Sequence, residues 1–137
     1  MTQFSEVWQF LFSQRLVQTV TFQITYDANS QTATIGAGLV WDQVYSTLEP
    51  QGVNVLGGRV TGVSVAGFIL GGGYSWKTNQ HGLAIDTVQA FELVLPNGTV
   101  TIVTATSNTD LFFGLKVRIT LRDTSCVAHL VPSLGWF

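Results

Sequence analysis

The stretch Gly57–Ser75, written GGRVTGVSVAGFILGGGYS, determines what kind of fold the chain can adopt. Glycine costs about 1 kcal/mol relative to alanine in a helix interior, so this density of glycine argues against an ordinary helix. Because glycine has no Cβ atom, the backbone N–H groups here can approach a flat or phosphorylated ligand closely. The same glycines could instead only make tight turns in a β-rich domain, and composition alone leaves both interpretations open.

Regular elements are predicted on the N-terminal side of this stretch. Thr32–Ile35 combines threonine with small or branched apolar residues ahead of two glycines, which indicates a strand. A short helix is predicted next, with Asp42 in its first turn and Pro50 and Gly52 at its end. The apolar residues of this helix recur at helical spacing, at Trp41, Val44, Tyr45 and Leu48.

The C-terminal side carries a hairpin signal. Two strand-like runs, Ala90–Leu95 and Thr99–Thr104, flank the tripeptide Pro96-Asn97-Gly98. The Asn-Gly pair supplies the positive φ values that a tight hairpin turn requires. A short helix is predicted at Asp110–Leu115, with its apolar face inward.

Composition restricts the classes of function. The chain has 137 residues, 46% hydrophobic and 10% charged, which predicts one compact domain rather than disorder. So low a charged fraction suggests that more protein normally covers part of the surface. The net charge is −2 and the Lys and Arg residues are scattered, so we expect no nucleic acid partner.

Disulfide, zinc and membrane chemistry are also disfavoured. Cys126 is the single cysteine, and it forms no ligand-spaced pair. Polar residues interrupt the apolar stretch Val7–Ile24, which predicts neither a signal peptide nor a membrane span. We therefore expect no metal site and no membrane partner.

Two common nucleotide-binding motifs do not match. A P-loop requires glycine directly before its lysine, whereas Trp76 precedes Lys77 and Thr78 here. A Rossmann fingerprint requires glycines at fixed gaps between a strand and a helix, and neither Gly67 nor Gly71–Gly73 has that spacing.

Seven pieces of the chain lie in a characteristic order and spacing: Ile35–Gly38, Trp41–Tyr45, Gly57–Gly67, Gly71–Ser75, Gly82–Val88, Glu92–Gly98 and Asp110–Lys116. In this register, residues 25–116 resemble the second half of the FAD-binding domain of the vanillyl-alcohol-oxidase superfamily, in its berberine-bridge-like and fungal secondary-metabolite oxidase branch. Each piece alone is weakly diagnostic. The seven together make the resemblance specific.

The resemblance implies an α+β, PCMH-type FAD-binding domain whose glycine-rich loop lies along the cofactor, while the flavin accepts a hydride from a small organic substrate. It implies no catalytic residue in this chain. Relatives link FAD through a cysteine at the position of Val60, so we expect FAD to be bound non-covalently at most. The implied cofactor-binding residues are Thr61, Gly62, Val63, Ser64, Ala66, Gly67, Gly71, Gly72, Asp86 and Val88.

The resemblance also implies that residues 1–137 form one incomplete domain. Segment 7–23 is interpreted as a translated intron or as a lineage-specific insertion, and segment 117–137 as a tail without a counterpart in the family. We therefore expect a fragment of an FAD-linked oxidoreductase that is inactive alone, with FAD and, in the full-length parent, a small organic substrate as partners. Two alternatives stay open: a non-enzymatic truncated or misannotated product, and a small stand-alone binding domain.

Isolated polar and aromatic residues give weaker signals. His81 lies in a polar loop without a paired carboxylate nearby, so we expect a loop residue rather than a base, and His129 lies in the unmatched tail. We expect Trp41 to pack in the core. Packing and flavin stacking both stay open for Tyr74 and Trp76.

Overall fold

The computed structural model of the protein describes residues 22–95, 99–117 and 125–130. The strands are β1 (Ile24–Asp27), β2 (Thr32–Gly36), β3 (Val88–Val94), β4 (Val100–Thr104) and β5 (Ser125–Leu130). They form a five-stranded antiparallel sheet with the strand order β1-β2-β5-β3-β4. The helices are α1 (Trp41–Leu48), α2 (Val65–Leu70), α3 (Thr78–His81) and α4 (Thr109–Lys116), with 3₁₀ turns at Glu49–Gln51 and Ala84–Thr87. The expected α+β class is confirmed.

The first hairpin joins β1 and β2 through a polar turn. Asp27 organises this turn, since its carboxylate accepts hydrogen bonds from the Ser30 hydroxyl at 2.7 Å and the Asn29 N–H at 2.9 Å. Both bonds lower the pKa of Asp27 below its usual value, and the bond from the Ser30 side chain has the larger effect. The predicted strand at Thr32–Ile35 is confirmed as part of β2.

Helix α1 packs through the residues that its periodicity singled out. Its first turn is capped by the Gln43 side-chain oxygen, which accepts a hydrogen bond from the Val40 N–H at 3.2 Å. The helix leads into the Glu49–Gln51 turn, after which Gly52 takes a left-handed conformation at φ 68°. Trp41 is only 1% exposed, so its expected place in the core is confirmed. The buried residues of α1 are Trp41, Val44 and Leu48.

One hydrophobic core joins the sheet to α1, α2 and α4. Alternate residues of β2 and β3 point into it, which is the period-2 pattern of a sheet with one covered face. The strands contribute Ala33, Ile35, Phe91, Leu93 and Val103, and α4 contributes Phe112 and Leu115.

The second hairpin is confirmed. Strands β3 and β4 pair in register from Ala90 with Thr104 to Val94 with Val100. The predicted turn residues 96–98 lie outside the described residues. The helix predicted at Asp110–Leu115 is also confirmed, within α4.

The expectation that the glycine stretch holds no helix is wrong for six residues. Helix α2 includes Gly67. Val65 and Ile69 are four positions apart and each is 1% exposed. Burying two large apolar side chains stabilises the helix by more than one glycine costs, so tertiary packing overrides helix propensity here.

Strand β5 lies within the segment interpreted as an unmatched tail. It pairs with β2 from Ala33 with Leu130 to Gly36 with Val127, and with β3 on its other side. It therefore joins the two hairpins into one sheet. Among the described residues, none of the helices combines the length and the apolar character that crossing a bilayer requires.

Candidate functional site

Two glycines of the stretch allow the backbone to pack on the indole ring of Trp41. A Cβ atom on Gly58 would lie 2.8 Å from Trp41 Cδ1, and one on Gly57 would overlap the same ring and the Tyr45 hydroxyl. The Tyr45 hydroxyl donates a hydrogen bond to the Gly58 carbonyl at 3.0 Å. Burial, together with the negative charge of Asp42, raises the pKa of Tyr45 to about 12, so the hydroxyl stays protonated and can donate. These two glycines therefore have a packing role.

The triple glycine has a second packing role. Gly73 has a φ of 75°, and a Cβ atom there would lie 2.6 Å from the Ala84 Cβ atom. The backbone N–H groups of Ala84 and Ile85 donate to the carbonyls of Gly73 and Gly72, at 2.9 and 3.2 Å. Close backbone pairing at this point is possible because no side chain intervenes.

Gly62 and Gly67 differ from these glycines because they face open space. A Cβ atom on either would meet no heavy atom within 4 Å. Both residues are exposed. Gly62 has a left-handed φ of 79°, whereas Gly67 lies inside α2 without a positive φ. The surface between them carries backbone amides and little side-chain bulk.

The loop before α2 is attached to the start of α1. The Gly62 N–H donates to the Asp42 carboxylate at 2.7 Å, across 20 residues of sequence. Trp41 donates its backbone N–H to the Val63 carbonyl at 3.1 Å. Val60 and Thr61 are exposed, and their N–H groups find no acceptor within the described part of the chain. These two amides are available to a ligand.

Arg59 marks the other end of this loop. Its guanidinium carbon lies 5.1 Å from the ring centroid of Tyr74 and 4.8 Å from that of Trp76. Both rings are largely exposed, at 54% and 78%. Arg59 and Trp76 also line a cavity of about 400 Å³, together with Tyr45, Glu49 and Lys77 among others. None of the ten predicted cofactor-binding residues lines this cavity.

Seven of the ten predicted site residues lie within residues 61–71 and are exposed or half-buried. Thr61, Gly62, Ser64, Gly67 and Gly71 are exposed, and Val63 and Ala66 are half-buried. Gly72 is buried, and its carbonyl is paired with the N–H of Ile85. This pairing places Gly72 next to the 3₁₀ turn Ala84–Thr87, which contains Asp86 and directly precedes Val88.

Asp86 and Val88 both have local structural roles. The Asp86 carboxylate accepts a hydrogen bond from the Leu83 N–H at 3.0 Å and thereby caps the 3₁₀ turn. The Val88 side chain is 3% exposed and lies in the core, so only its backbone could face a ligand. Asp42 contacts one end of the loop and Arg59 lies at the other, and neither was predicted from the sequence as a site residue. The only signal for Asp42 was its place in a helix first turn.

A mixed α+β fold that presents an amide-lined, glycine-rich surface loop has the character of a cofactor-binding domain. The family model described as "FAD binding domain" matches residues 16–104. The chain belongs to this family, and FAD is its cofactor. The match begins inside segment 7–23, most of which lies outside the described residues.

Curated fungal relatives agree with this family. An "Uncharacterized FAD-linked oxidoreductase" of Arthroderma benhamiae is 47% identical over 94 residues, which are 69% of this chain and 19% of that protein. The "FAD-dependent monooxygenase yanF" of Aspergillus niger is 48% identical over 93 residues, 68% of this chain and 16% of that protein. The chain thus spans less than a fifth of the length of these two relatives.

A solved structure shares the fold. The glucooligosaccharide oxidase from Acremonium strictum superposes with a TM-score of 0.74 at 28% identity, over 82% of this chain and 24% of that one. That oxidase carries a 6-S-cysteinyl, 8α-N1-histidyl FAD. The open backbone at Gly62 and Gly67 and the unpaired amides of Val60 and Thr61 are compatible with FAD binding here.

Proposed function

We propose that this chain is the loop-bearing part of the FAD-binding domain of an oxidoreductase that oxidises a small organic substrate, and that it is inactive alone. The observation that supports this proposal is the open surface at Gly67, where a glycine faces no neighbour within 4 Å although the helix would favour alanine. The proposed contacts are made by Thr61, Gly62, Val63, Ser64, Ala66, Gly67, Gly71, Gly72, Asp86 and Val88.

The role of these residues is to bind and orient the cofactor. Bound FAD would supply the hydride-accepting chemistry. The free N–H groups of Val60 and Thr61 would donate hydrogen bonds to acceptor atoms of the dinucleotide, and Gly62 and Gly67 would let it approach the backbone. Val60 carries no nucleophilic atom, so no covalent link to the cofactor forms at this position. Asp86 would act by fixing the 3₁₀ turn that follows the triple glycine.

We place substrate recognition and proton transfer in segments outside the matched region, since that region covers only 19% and 16% of these two relatives.

A titration of the purified, folded chain with FAD tests the proposal. We expect quenching of flavin fluorescence that saturates and that Gly67→Leu abolishes, because leucine fills the open surface without entering the core. Ser46→Leu is the matched control, since it adds the same side chain at an exposed position of α1 outside the loop. Quenching that is absent from the folded wild-type chain, or retained in Gly67→Leu, would contradict the proposal.

Parallel experiments separate the alternatives. Oxygen uptake by the FAD-loaded chain with alcohol and sugar substrates should stay at the level of free FAD. Turnover above that level would show that the chain is not an inactive part. Preference for ADP over FAD would favour a small stand-alone nucleotide-binding domain.

A further inference from the structure

We propose that Asp42 and Arg59 are positioning residues that hold the loop Val60–Thr61 from its two ends, so that its amides are ordered before the cofactor arrives. This inference rests on the proposed function, because the ligand of the loop is taken to be FAD. Neither residue belongs to the predicted contact set. Both act on the conformation of the loop rather than on the reacting atoms.

The downstream end is tied to the core through α1. The Asp42 carboxylate accepts the Gly62 N–H at 2.7 Å, and Gly62 has a φ of 79°, which other residues adopt only at a cost. Next to this bond, the backbones of Leu39 and Trp41 pair with Val65 and Val63. Because Trp41 is buried, the position of Gly62 follows that of the core.

The upstream end is tied to the segment after the triple glycine. The Arg59 guanidinium contacts two aromatic rings, those of Tyr74 and Trp76, at 5.1 and 4.8 Å. Such cation–π contacts are modest individually at exposed sites, but two rings restrict the long arginine side chain more than one does. The Tyr45 hydroxyl fixes the preceding carbonyl of Gly58 as well.

Fixing both ends changes the cost of binding. Val60 and Thr61 have exposed side chains and their backbone N–H groups donate no hydrogen bond among the described residues, so their conformation depends on how the two ends of the loop are held. A loop ordered only on binding loses conformational entropy at that moment, which weakens affinity. A loop held from both ends loses less conformational entropy on binding. Asp42 and Arg59 should therefore raise the affinity for FAD without contacting it.

The first test replaces Asp42 and follows the ligand-free protein. In Asp42→Ala, exchange of the Gly62 amide proton measured by NMR should become about tenfold faster, as expected for the loss of a charge-assisted hydrogen bond near the surface. The FAD dissociation constant should rise by a similar factor of about ten. Asp42→Asn should restore most of the Gly62 exchange protection and most of the FAD affinity, because the asparagine amide oxygen can still accept the Gly62 N–H.

Asp110→Ala is the matched control for this variant. Asp42 and Asp110 are each the second residue of an eight-residue helix, and both are exposed. Their removal has the same effect on the helix dipole, but among the described residues only Asp42 accepts a hydrogen bond from the loop. We expect Asp110→Ala to leave Gly62 exchange and FAD affinity unchanged.

The second test replaces Arg59. Arg59→Ala should weaken FAD binding several-fold, and its effect should shrink in a Tyr74→Ala, Trp76→Ala background, where the contact is already lost. Lys116→Ala is the control, because it removes a cation from the ring of Phe112, at 5.0 Å, on α4.

The outcomes distinguish this inference from the proposed function. If the wild-type chain binds FAD but Asp42→Ala binds it equally well, the positioning role is wrong and the proposed function stands. If Gly62 exchange is unchanged in Asp42→Ala, the downstream attachment itself is wrong. If the folded wild-type chain does not bind FAD, the proposed function fails, and this inference fails with it.

Discussion

Replacing Gly58 and Gly67 with alanine should have opposite effects on stability. Both glycines lack a positive φ, so alanine adds no backbone strain at either position. At Gly58 the new methyl group would lie 2.8 Å from Trp41 Cδ1 and 3.2 Å from Val63 Cγ1. At Gly67 it would meet nothing within 4 Å. The pair therefore compares one packed glycine with one open glycine.

The expected magnitudes follow from these surroundings. Trp41 is buried and cannot move aside, so overpacking in Gly58→Ala should cost about 1–3 kcal/mol. Gly67 lies inside α2, so Gly67→Ala should gain up to about 1 kcal/mol from helix propensity. At about 3–5 °C per kcal/mol for a domain of this size, the melting temperatures should diverge by about 3–20 °C.

Thermal unfolding by circular dichroism measures the stability, and flavin fluorescence measures FAD affinity. Gly67→Ala should bind FAD about tenfold more weakly than the wild-type chain although it is more stable, because the methyl group occupies cofactor space. Gly58→Ala should lose stability but retain its affinity while folded. Equal destabilisation by the two substitutions would refute the division of the glycines into packed and open sets. Unchanged affinity in Gly67→Ala would refute its contact with FAD.

Three further predictions concern other parts of the chain. Because the folded-state pKa of Tyr45 is raised to about 12, the stabilisation from its protonated hydroxyl is complete below about pH 10 and is lost as the pH rises through about 12. Tyr45→Phe should remove this pH dependence of the stability. It should also remove the absorbance change at 295 nm that accompanies ionisation of this tyrosine. Truncation after Val117 should prevent folding, seen as loss of the cooperative melt, because β5 joins two hairpins that are marginal alone. Transcript reads joining Glu6 directly to Ile24 are expected if segment 7–23 is intron sequence, and continuous reads would show an insertion instead.

Local sequence signals predicted the elements that local interactions stabilise. The apolar spacing of α1 and its closing Gly52 lie within 12 residues, and the structure has the helix there, with Gly52 at φ 68°. The β3–β4 hairpin is equally local, since its two strands are adjacent in sequence. In both cases the residues that determine the element lie within the element or directly beside it in sequence.

The features that were missed depend on distant partners. Helix α2 forms because Val65 and Ile69 reach a core built from other elements, which its glycine content cannot reveal. Strand β5 pairs with β2 across about 90 residues of sequence, and short strands of this kind carry little signal of their pairing. The bond from Gly62 to Asp42 spans 20 residues, and an acid in a helix first turn is ordinarily explained by the helix alone.

Gly67 is the residue that best distinguishes the two interpretations of the stretch Gly57–Ser75, as turn-forming or as ligand-binding. Packing against Trp41 accounts for Gly58, close contact with Ala84 accounts for Gly73, and the left-handed φ accounts for Gly62. None of these reasons applies to Gly67, where the fold as described would be about 1 kcal/mol more stable with alanine. A glycine that the helix disfavours and the packing does not require is what we expect where another surface approaches α2 from outside. In a family of FAD-binding domains, the cofactor is the surface with the strongest reason to be there.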